Sequence, residues 1–130
     1  MGHEQNRGSA RRRGYDTRWD RAAATFKQRN PHCLGCLAIG RKVAVDVVDH
    51  VEPHKGDQAK FWNTKMWQPA CRHHHDVIKP VLERLFLGGE IPVIELWLNS
   101  TTATKLTRKR PPPVTFGADG WPQGPGGANP

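Results

Sequence analysis

Hydrophobic positions near the start of the chain recur with the period of an α-helix. Asp16 or Thr17 can cap the start of this helix, because either side chain can accept hydrogen bonds from its first free amides. Pro31 predicts that the helix ends at Arg29 or Asn30. The apolar side chains that fall on one face are Trp19, Ala22, Ala23 and Phe26. We therefore predict an amphipathic helix over this stretch.

Shorter apolar runs follow, with the composition of strands. The run from Val43 to Val48 is β-branched and short, which predicts a strand. Residues 53–57 predict a loop, and Asn63-Thr64-Lys65 lies between two pairs of apolar residues and predicts a turn. Trp67 to Ala70 can then return as a second, short strand.

The helical period returns after Cys71. The positions that share one apolar face are Val77, Ile78, Val81, Leu82, Leu85 and Phe86. His75 falls in the first turn of this helix, and Gly88-Gly89 predicts its end. Pro80 predicts a kink, or a helix that is regular only from that residue onward. Apolar residues at 94–98 predict a further short helix or strand that closes the core.

The two ends of the chain lack these patterns. Residues 1–14 are polar and carry three consecutive arginines, whereas residues 107–130 are rich in proline and glycine. Segments that cannot bury apolar surface stay disordered, so we predict two disordered tails around one folded domain at residues 15–106. A domain of this size often needs a metal ion or a disulfide to support its core.

The charge of the chain indicates the class of partner. A formal net charge of +8 favours a polyanion, most commonly nucleic acid, although a merely soluble basic surface has the same composition. No apolar run approaches the roughly 18 residues of a membrane-spanning helix, and no hydrophobic signal region follows the first residue. The sequence therefore predicts a cytoplasmic protein with no membrane contact.

The three cysteines and one histidine have the spacing of a zinc site. Two residues separate Cys33 from Cys36, and the same separation joins Cys71 to His74. Two such pairs can present four ligands tetrahedrally to Zn²⁺. An odd number of cysteines, two of them close together, fits thiolate ligands in a reducing cytosol better than a disulfide framework. The neighbouring His73 is an alternative fourth ligand.

One carboxylate and two imidazoles are left over beside this knuckle, on Asp49, His50 and His75. A catalytic divalent-metal site needs such groups, because they bind an ion while leaving coordination positions open. The sequence therefore predicts one site that holds the fold and another that performs chemistry. The alternative is that His50 is a solvated turn histidine with no role in chemistry.

Several motifs occur in one order along the chain: Ala44 to Val51, Pro53-His54-Lys55-Gly56-Asp57, Phe61-Trp62, Trp67-Gln68-Pro69 and Cys71 to Lys79. Over about Tyr15 to Lys79 the chain resembles the HNH endonucleases of tailed bacteriophages and prophages, commonly encoded near terminase genes. The resemblance implies an α+β fold, a small ββα-metal (His-Me finger) domain. A Cys₃His zinc knuckle, flanking helices and disordered tails complete the expected architecture.

The resemblance also implies a function, that of a metal-dependent DNA endonuclease. His50 would be the general base, and Asp49 and His75 would bind a catalytic ion such as Mg²⁺, Mn²⁺ or Ni²⁺ in addition to the structural Zn²⁺. DNA would be bound with weak sequence preference. A phage large terminase is a further expected partner, through genome packaging in the cytoplasm of a bacterial host. The oligomeric state stays open. Whether the enzyme nicks one strand or cuts both stays open as well, because that depends on whether two copies pair.

One position departs from the family pattern. The Asn that usually stands directly before Trp-Gln is Met66 here. Either Asn63 supports the loop in its place, or Met66 packs beside Trp62 and Trp67. The departure keeps open a second function, a non-catalytic zinc-stabilised DNA-binding accessory module. A third, a zinc ribbon for protein docking, explains neither the basic charge nor the Asp-His pair.

Three basic residues are candidates for the surroundings of a phosphate. His54 and Lys55 either hold a phosphate or stabilise the loop in which they lie. Lys79, which ends the last motif, is expected to contact a phosphate.

Overall fold

The structure, a computed structural model, describes residues 16–113. This part of the chain is a small α+β unit with a two-stranded antiparallel sheet and five α-helices. The helices are α1 Thr17–Arg29, α2 Leu34–Leu37, α3 Gln58–Phe61, α4 Lys79–Leu87 and α5 Thr101–Lys109. The strands are β1 Val47–His50 and β2 Trp67–Ala70, and 3₁₀ turns lie at Thr64–Met66 and Val93–Leu96. The predicted tail at residues 1–14 and most of the tail at 107–130 lie outside the described residues.

Helix α1 confirms the first predicted element. The Asp16 side chain accepts a hydrogen bond from the amide of Trp19 at 3.1 Å and so caps its start. Its end is capped by Asn30, directly before Pro31. The apolar face of α1 packs on Val48 and Trp67, which lie on one face of the sheet. The helix thereby covers that face.

The first strand is shorter than predicted and begins at Val47 instead of Val43. The backbone of residues 43–45 bonds to the segment before α2 instead: Val43 accepts from the amide of Cys33 at 2.8 Å, and Ala44 forms an isolated bridge with His32. The β-branched run is therefore divided between the sheet and the approach to the cysteine knuckle. The second strand has the predicted bounds.

The helix after Cys71 begins with a π turn, His74–Ile78, before α4. Within this turn the amide of Lys79 bonds to the carbonyl of His74, five residues earlier. Pro80 at the start of α4 explains the wider turn, because a proline ring clashes with the carbonyl four residues before it in a regular α-helix. The prediction that the helix is regular only from about Pro80 onward is confirmed.

Helix α5 crosses the boundary that the sequence analysis placed after Leu106. Ser100 caps its start by accepting from the amide of Ala103 at 3.0 Å. Few of its positions are apolar, so it shows no long hydrophobic stripe in the sequence. Ala103 and Thr107 are nonetheless fully buried, and Ala103 joins the main core. That core also contains Val51, Ala70, Ile78, Leu82, Leu96 and Leu98.

The described helices are short. Between residues 16 and 113, no helix has both the length and the apolar character needed to cross a bilayer.

Candidate metal centre and catalytic cleft

The predicted zinc ligands form one buried cluster. The ligand atoms of Cys33, Cys36, Cys71 and His74 all lie within 4.8 Å of one another. His74 Nδ1 lies 3.4 Å from the sulfur of Cys33, 3.5 Å from that of Cys36 and 3.4 Å from that of Cys71. Three thiols and one imidazole nitrogen around one point are the donor set of a tetrahedral structural zinc site. The cluster is therefore compatible with a structural zinc.

The charges in this cluster also favour a bound cation. Hydrogen bonds with Cys33 and Cys71 raise the pKa of the Cys36 thiol, whereas hydrogen bonds with Cys33 and Cys36 lower the pKa of Cys71. Burial opposes the charge of His74, but its hydrogen bonds with Cys33 and Cys71 outweigh burial and raise its pKa to about 9. Three sulfurs this close cannot all ionise unless a positive charge lies among them.

Helix α5 fixes the orientation of the His74 ring. The hydroxyl of Thr107 donates to the carbonyl of Ala103 at 2.8 Å, so its single proton is used. At 3.0 Å from that oxygen, His74 Nε2 must therefore donate to it. The other nitrogen, Nδ1, is the one that faces the three sulfurs. Thr107 thus selects the nitrogen that a metal ion would bind.

Close packing at the knuckle requires a glycine at position 35. A Cβ atom on Gly35 would lie 2.3 Å from Cδ2 and 2.4 Å from Nε2 of His74. His74 is fully buried and hydrogen-bonded, so its ring has no room to move away. The glycine therefore lets the backbone of α2 approach the ring.

The alternative that His73 is the fourth ligand is wrong. Its Nε2 donates to the carbonyl of Arg110 at 2.7 Å, just after α5. His73 thus helps to fasten the end of α5, while His74 lies inside the cluster.

A second cluster surrounds Asp49, which is 3% exposed. In the sheet Asp49 lies opposite Gln68. Its Oδ2 accepts from Gln68 Nε2 at 2.8 Å and lies 2.9 Å from Lys79 Nζ, and its Oδ1 lies 3.1 Å from His75 Nδ1. Burial by itself raises the pKa of Asp49, but the hydrogen bond with His75 and the charge of Lys79 outweigh burial and lower it.

His75 is the more exposed member of this cluster, with a side chain 42% exposed. The hydrogen bond with Asp49 raises the pKa of His75. A carboxylate oxygen and an imidazole nitrogen beside one another at a cleft fit a divalent ion, which would take the place of the shared proton. An ion held by these two groups alone would leave its remaining coordination positions to water and substrate.

His50 follows Asp49 in β1 and points to the opposite face of the sheet. Its ring stacks on Trp19 at 5.2 Å between centroids, and its Nε2 donates to the carbonyl of Phe61 at 3.0 Å. Trp67 Nε1 donates to the same carbonyl at 2.9 Å. Among residues 16–113 no hydrogen bond reaches Nδ1 of His50. The protein therefore holds this imidazole with one nitrogen available.

The environment of His50 also keeps it neutral. Burial first, and then the charge of nearby His54, lower its pKa below the ordinary value. A neutral imidazole with a lone pair on Nδ1 can accept a proton at neutral pH. The reading of His50 as a solvated turn histidine does not agree with its stacked, half-buried ring.

A cleft of about 790 Å³ joins these groups. Asp49, His50 and His75 line it together with Trp19 and Lys27 of α1. The structure thus brings together the three residues that the sequence assigned to chemistry. His54 and Lys55 line the same cleft, and the Nδ1 of His54 accepts from the amide of Gly56 at 3.0 Å. His54 therefore stabilises its loop, and exposed Lys55 is open to a phosphate.

The expectation that Lys79 contacts a phosphate is wrong. Its side chain is 2% exposed, and its ammonium group lies against Asp49, Glu83 and the carbonyl of His50. A lysine buried this far cannot reach a substrate outside the cleft. Ile78 at the end of the π turn and Leu82 in α4 are core residues, and Lys79 lies between them in the sequence on the buried side of this segment.

Asn63 and Met66 occupy different surroundings. Exposed Asn63 accepts from the amide of Lys65 at 3.2 Å, which caps the 3₁₀ turn, and it shares no hydrogen bond with His50. Met66 is half-buried and packs against the main core, whereas Trp62 and Trp67 belong to the cluster under α1. Asn63 thus caps its own 3₁₀ turn while Met66 packs against the core, so the two features occur together.

Three supporting residues were missed by the sequence analysis. Gln68 is fully buried and joins Asp49 to the carbonyl of Leu96 and the amide of Leu98. Its place in the Trp-Gln-Pro motif, opposite Asp49 in a hairpin, was the available indication. Trp67, which holds the carbonyl that orients His50, carried the same indication. Nothing in the sequence pointed to Thr107.

Comparisons with protein-family models, with curated proteins and with solved structures give no match for this chain.

Proposed function

We propose that this protein is a metal-dependent DNA endonuclease of the HNH type. The observation that carries the proposal is the pairing of two features at one cleft. Asp49 and His75 present an oxygen and a nitrogen 3.1 Å apart, and His50 beside them is held through Nε2 with Nδ1 available. A structural zinc in the Cys₃His cluster would hold the chain segments that carry these groups.

The residues of the cleft have different roles in phosphodiester hydrolysis. His50 accepts a proton from the attacking water on Nδ1, while the Phe61 carbonyl and the Trp19 ring keep the imidazole in place. Asp49 and His75 would hold a divalent ion, which would supply charge stabilisation for the phosphate and the leaving oxygen. Gln68 keeps the Asp49 carboxylate directed at His75.

The charge of the chain supports DNA as the substrate. The net charge of +8 favours a polyanion, and Lys27 and Lys55 lie at the cleft. Contacts of this kind bind phosphates and read few bases, so weak sequence preference belongs to the proposal. By the same resemblance we propose a phage or prophage role linked to the large terminase, in the cytoplasm of a bacterial host.

A non-catalytic, zinc-stabilised DNA-binding accessory module is the second candidate. One observation favours it: the ammonium of Lys79 already neutralises Asp49 at 2.9 Å, so the carboxylate has a cation without any metal. The presence of Met66 at the position of the family Asn also favours the non-catalytic module. A pure binding module, however, has no need for a neutral imidazole beside this carboxylate.

A plasmid-nicking assay separates the two functions. Purified full-length protein is incubated at low salt with Mg²⁺, Mn²⁺ or Ni²⁺, and DNA binding is measured in parallel. We expect nicking by the parent and a loss of at least about 100-fold in His50→Ala with unchanged DNA binding, since removal of a general base costs that much. His32→Ala, a histidine outside the cleft, is the matched control. A parent that binds DNA but cuts with none of the ions establishes the accessory module.

A further inference from the structure

Lys79 is a buried lysine whose three donors are all used. Its Nζ lies 2.7 Å from the carbonyl oxygen of His50, 2.9 Å from Oδ2 of Asp49 and 3.0 Å from Oε2 of Glu83. An ammonium group has three N–H bonds, so no donor remains for a substrate. The cost of burying such a charge is offset only when it is fully paired, which indicates a defined role at this position.

Asp49 is held by two residues through the same oxygen. Both Lys79 and Gln68 contact Oδ2, at 2.9 Å and 2.8 Å, and this leaves Oδ1 to His75 and the cleft. The direction of the carboxylate therefore does not depend on Lys79 alone, because Gln68 is fully buried and has its own bonds to the 96–98 segment. What Lys79 alone contributes is a positive charge.

That charge opposes a second cation at the same carboxylate. Glu83, its other charged partner, has a side chain 36% exposed, so solvent screens its compensation of Lys79. Asp49 and Lys79 lie in a poorly solvated interior, where charges interact more strongly than in water. A divalent ion that binds Oδ1 must therefore approach a carboxylate whose negative charge is already shared with an ammonium group.

We propose that Lys79 is a positioning residue that lowers the affinity of the Asp49–His75 site for its divalent ion. This inference rests on the proposed function, because it concerns the ion of that same site. Lys79 keeps the site compact when no ion is bound and makes the bound ion exchangeable, so the site depends on the free concentration of metal. A residue with a merely structural role would act in the opposite direction, since its loss would loosen the ligands and weaken binding.

Direct titration of the zinc-loaded full-length protein with Mn²⁺ tests the sign of the effect. The free Mn²⁺ is measured by electron paramagnetic resonance, without DNA and without any activity. Mn²⁺ prefers oxygen and nitrogen ligands and leaves a thiolate-held zinc in place. We expect Lys79→Met to bind Mn²⁺ at least tenfold more tightly than the parent, about 1.4 kcal/mol. Lys79→Arg keeps the charge and is expected to stay within about threefold of the parent.

Gln68→Met is the matched variant that removes orientation but keeps the charge. It is expected to bind Mn²⁺ more weakly than the parent, so the two variants move in opposite directions. If Lys79→Met does not fold, the charge-balanced pair Lys79→Met with Glu83→Gln is compared with Glu83→Gln alone, and the pair is expected to bind more tightly. Melting temperature and zinc content report folding in each variant.

The outcomes distinguish this inference from the proposed function. Parent binding that disappears in Asp49→Asn, together with Lys79→Met binding no more tightly than the parent, overturns the role of Lys79 and leaves the ion site intact. Absence of Asp49-dependent Mn²⁺ binding from the parent and every variant overturns both. Tighter binding in Lys79→Met that again requires Asp49 supports the inference even if no variant cuts DNA.

Discussion

Thr107→Val removes one hydroxyl that contacts the candidate Cys₃His zinc cluster from outside the ligand set. In the parent this hydroxyl accepts from His74 Nε2 at 3.0 Å and donates to Ala103 at 2.8 Å. Valine has nearly the same shape and no acceptor, so the buried Nε2–H of His74 is left unpaired. An unsatisfied buried donor costs about 1–3 kcal/mol. Loss of such an outer partner typically costs about 10–100-fold in metal affinity.

Two measurements check this expectation. The rate and extent of zinc transfer to a chromogenic chelator report the affinity, and thermal unfolding reports stability, where each kcal/mol lowers Tm by about 4–8 °C for a domain of this size. Thr107→Ser keeps the hydroxyl and should behave like the parent. Thr104→Val is the matched control, because its hydroxyl has no hydrogen-bond partner among residues 16–113.

Two results would refute the role of the Thr107 hydroxyl. If Thr107→Val retains zinc as tightly as the parent and as Thr104→Val, the hydroxyl does not orient His74. If Thr107→Ser loses zinc as readily as Thr107→Val, the hydroxyl is not sufficient to hold His74, and packing at this position rather than the hydrogen bond sets the zinc affinity. The same chelator assay on the parent first establishes that one zinc is bound per chain, which the buried Cys₃His cluster leads us to expect.

Three further changes test other parts of the structure. Gly35→Ala should release zinc or prevent folding, because its Cβ would lie 2.3 Å from the His74 ring; unchanged zinc content would contradict this close approach. Met66→Asn should lower the melting temperature by placing an amide against the apolar core, and an unchanged melting temperature would argue against that packing. Hydrogen bonds from Thr102 lower the pKa of Glu95, so its contribution to stability is present above the unfolded pKa near 4.5 and is lost as pH falls through the lower folded pKa. Glu95→Gln should therefore lower Tm at pH 7 and much less at pH 3, and an equal loss at both would rule out the charge.

The local elements were predictable because their causes lie within a few residues. Asp16 and Pro31 bound α1 through hydrogen bonding and sterics that involve neighbours in the chain. The second strand and the end of α4 at Gly88 have equally local causes. Helix α5 was missed for the opposite reason: its short run of threonines and basic residues shows little apolar periodicity, and its stability comes from packing on distant segments.

The candidate metal ligands were predictable for a related reason. Two residues between ligands place both side chains of each pair on one side of a tight turn, so the spacing alone predicts Cys33, Cys36 and Cys71. The choice between His73 and His74 was not contained in the spacing. It depends on α5 and the residue that follows it, because the carbonyl of Arg110 accepts a hydrogen bond from His73 and the hydroxyl of Thr107 orients His74.

The sequence by itself determined which residue types are available for chemistry and which short elements carry them. Only the tertiary structure decided what each of them contacts. In the sequence, Lys79 is indistinguishable from the other basic residues of a basic chain. In the structure its ammonium lies against Asp49, thirty residues earlier in the sequence. Gln68 meets Asp49 only because two strands pair in one register. Side-chain pairing across such separations depends on how the elements pack, and no local pattern of hydrophobic and polar positions encodes it.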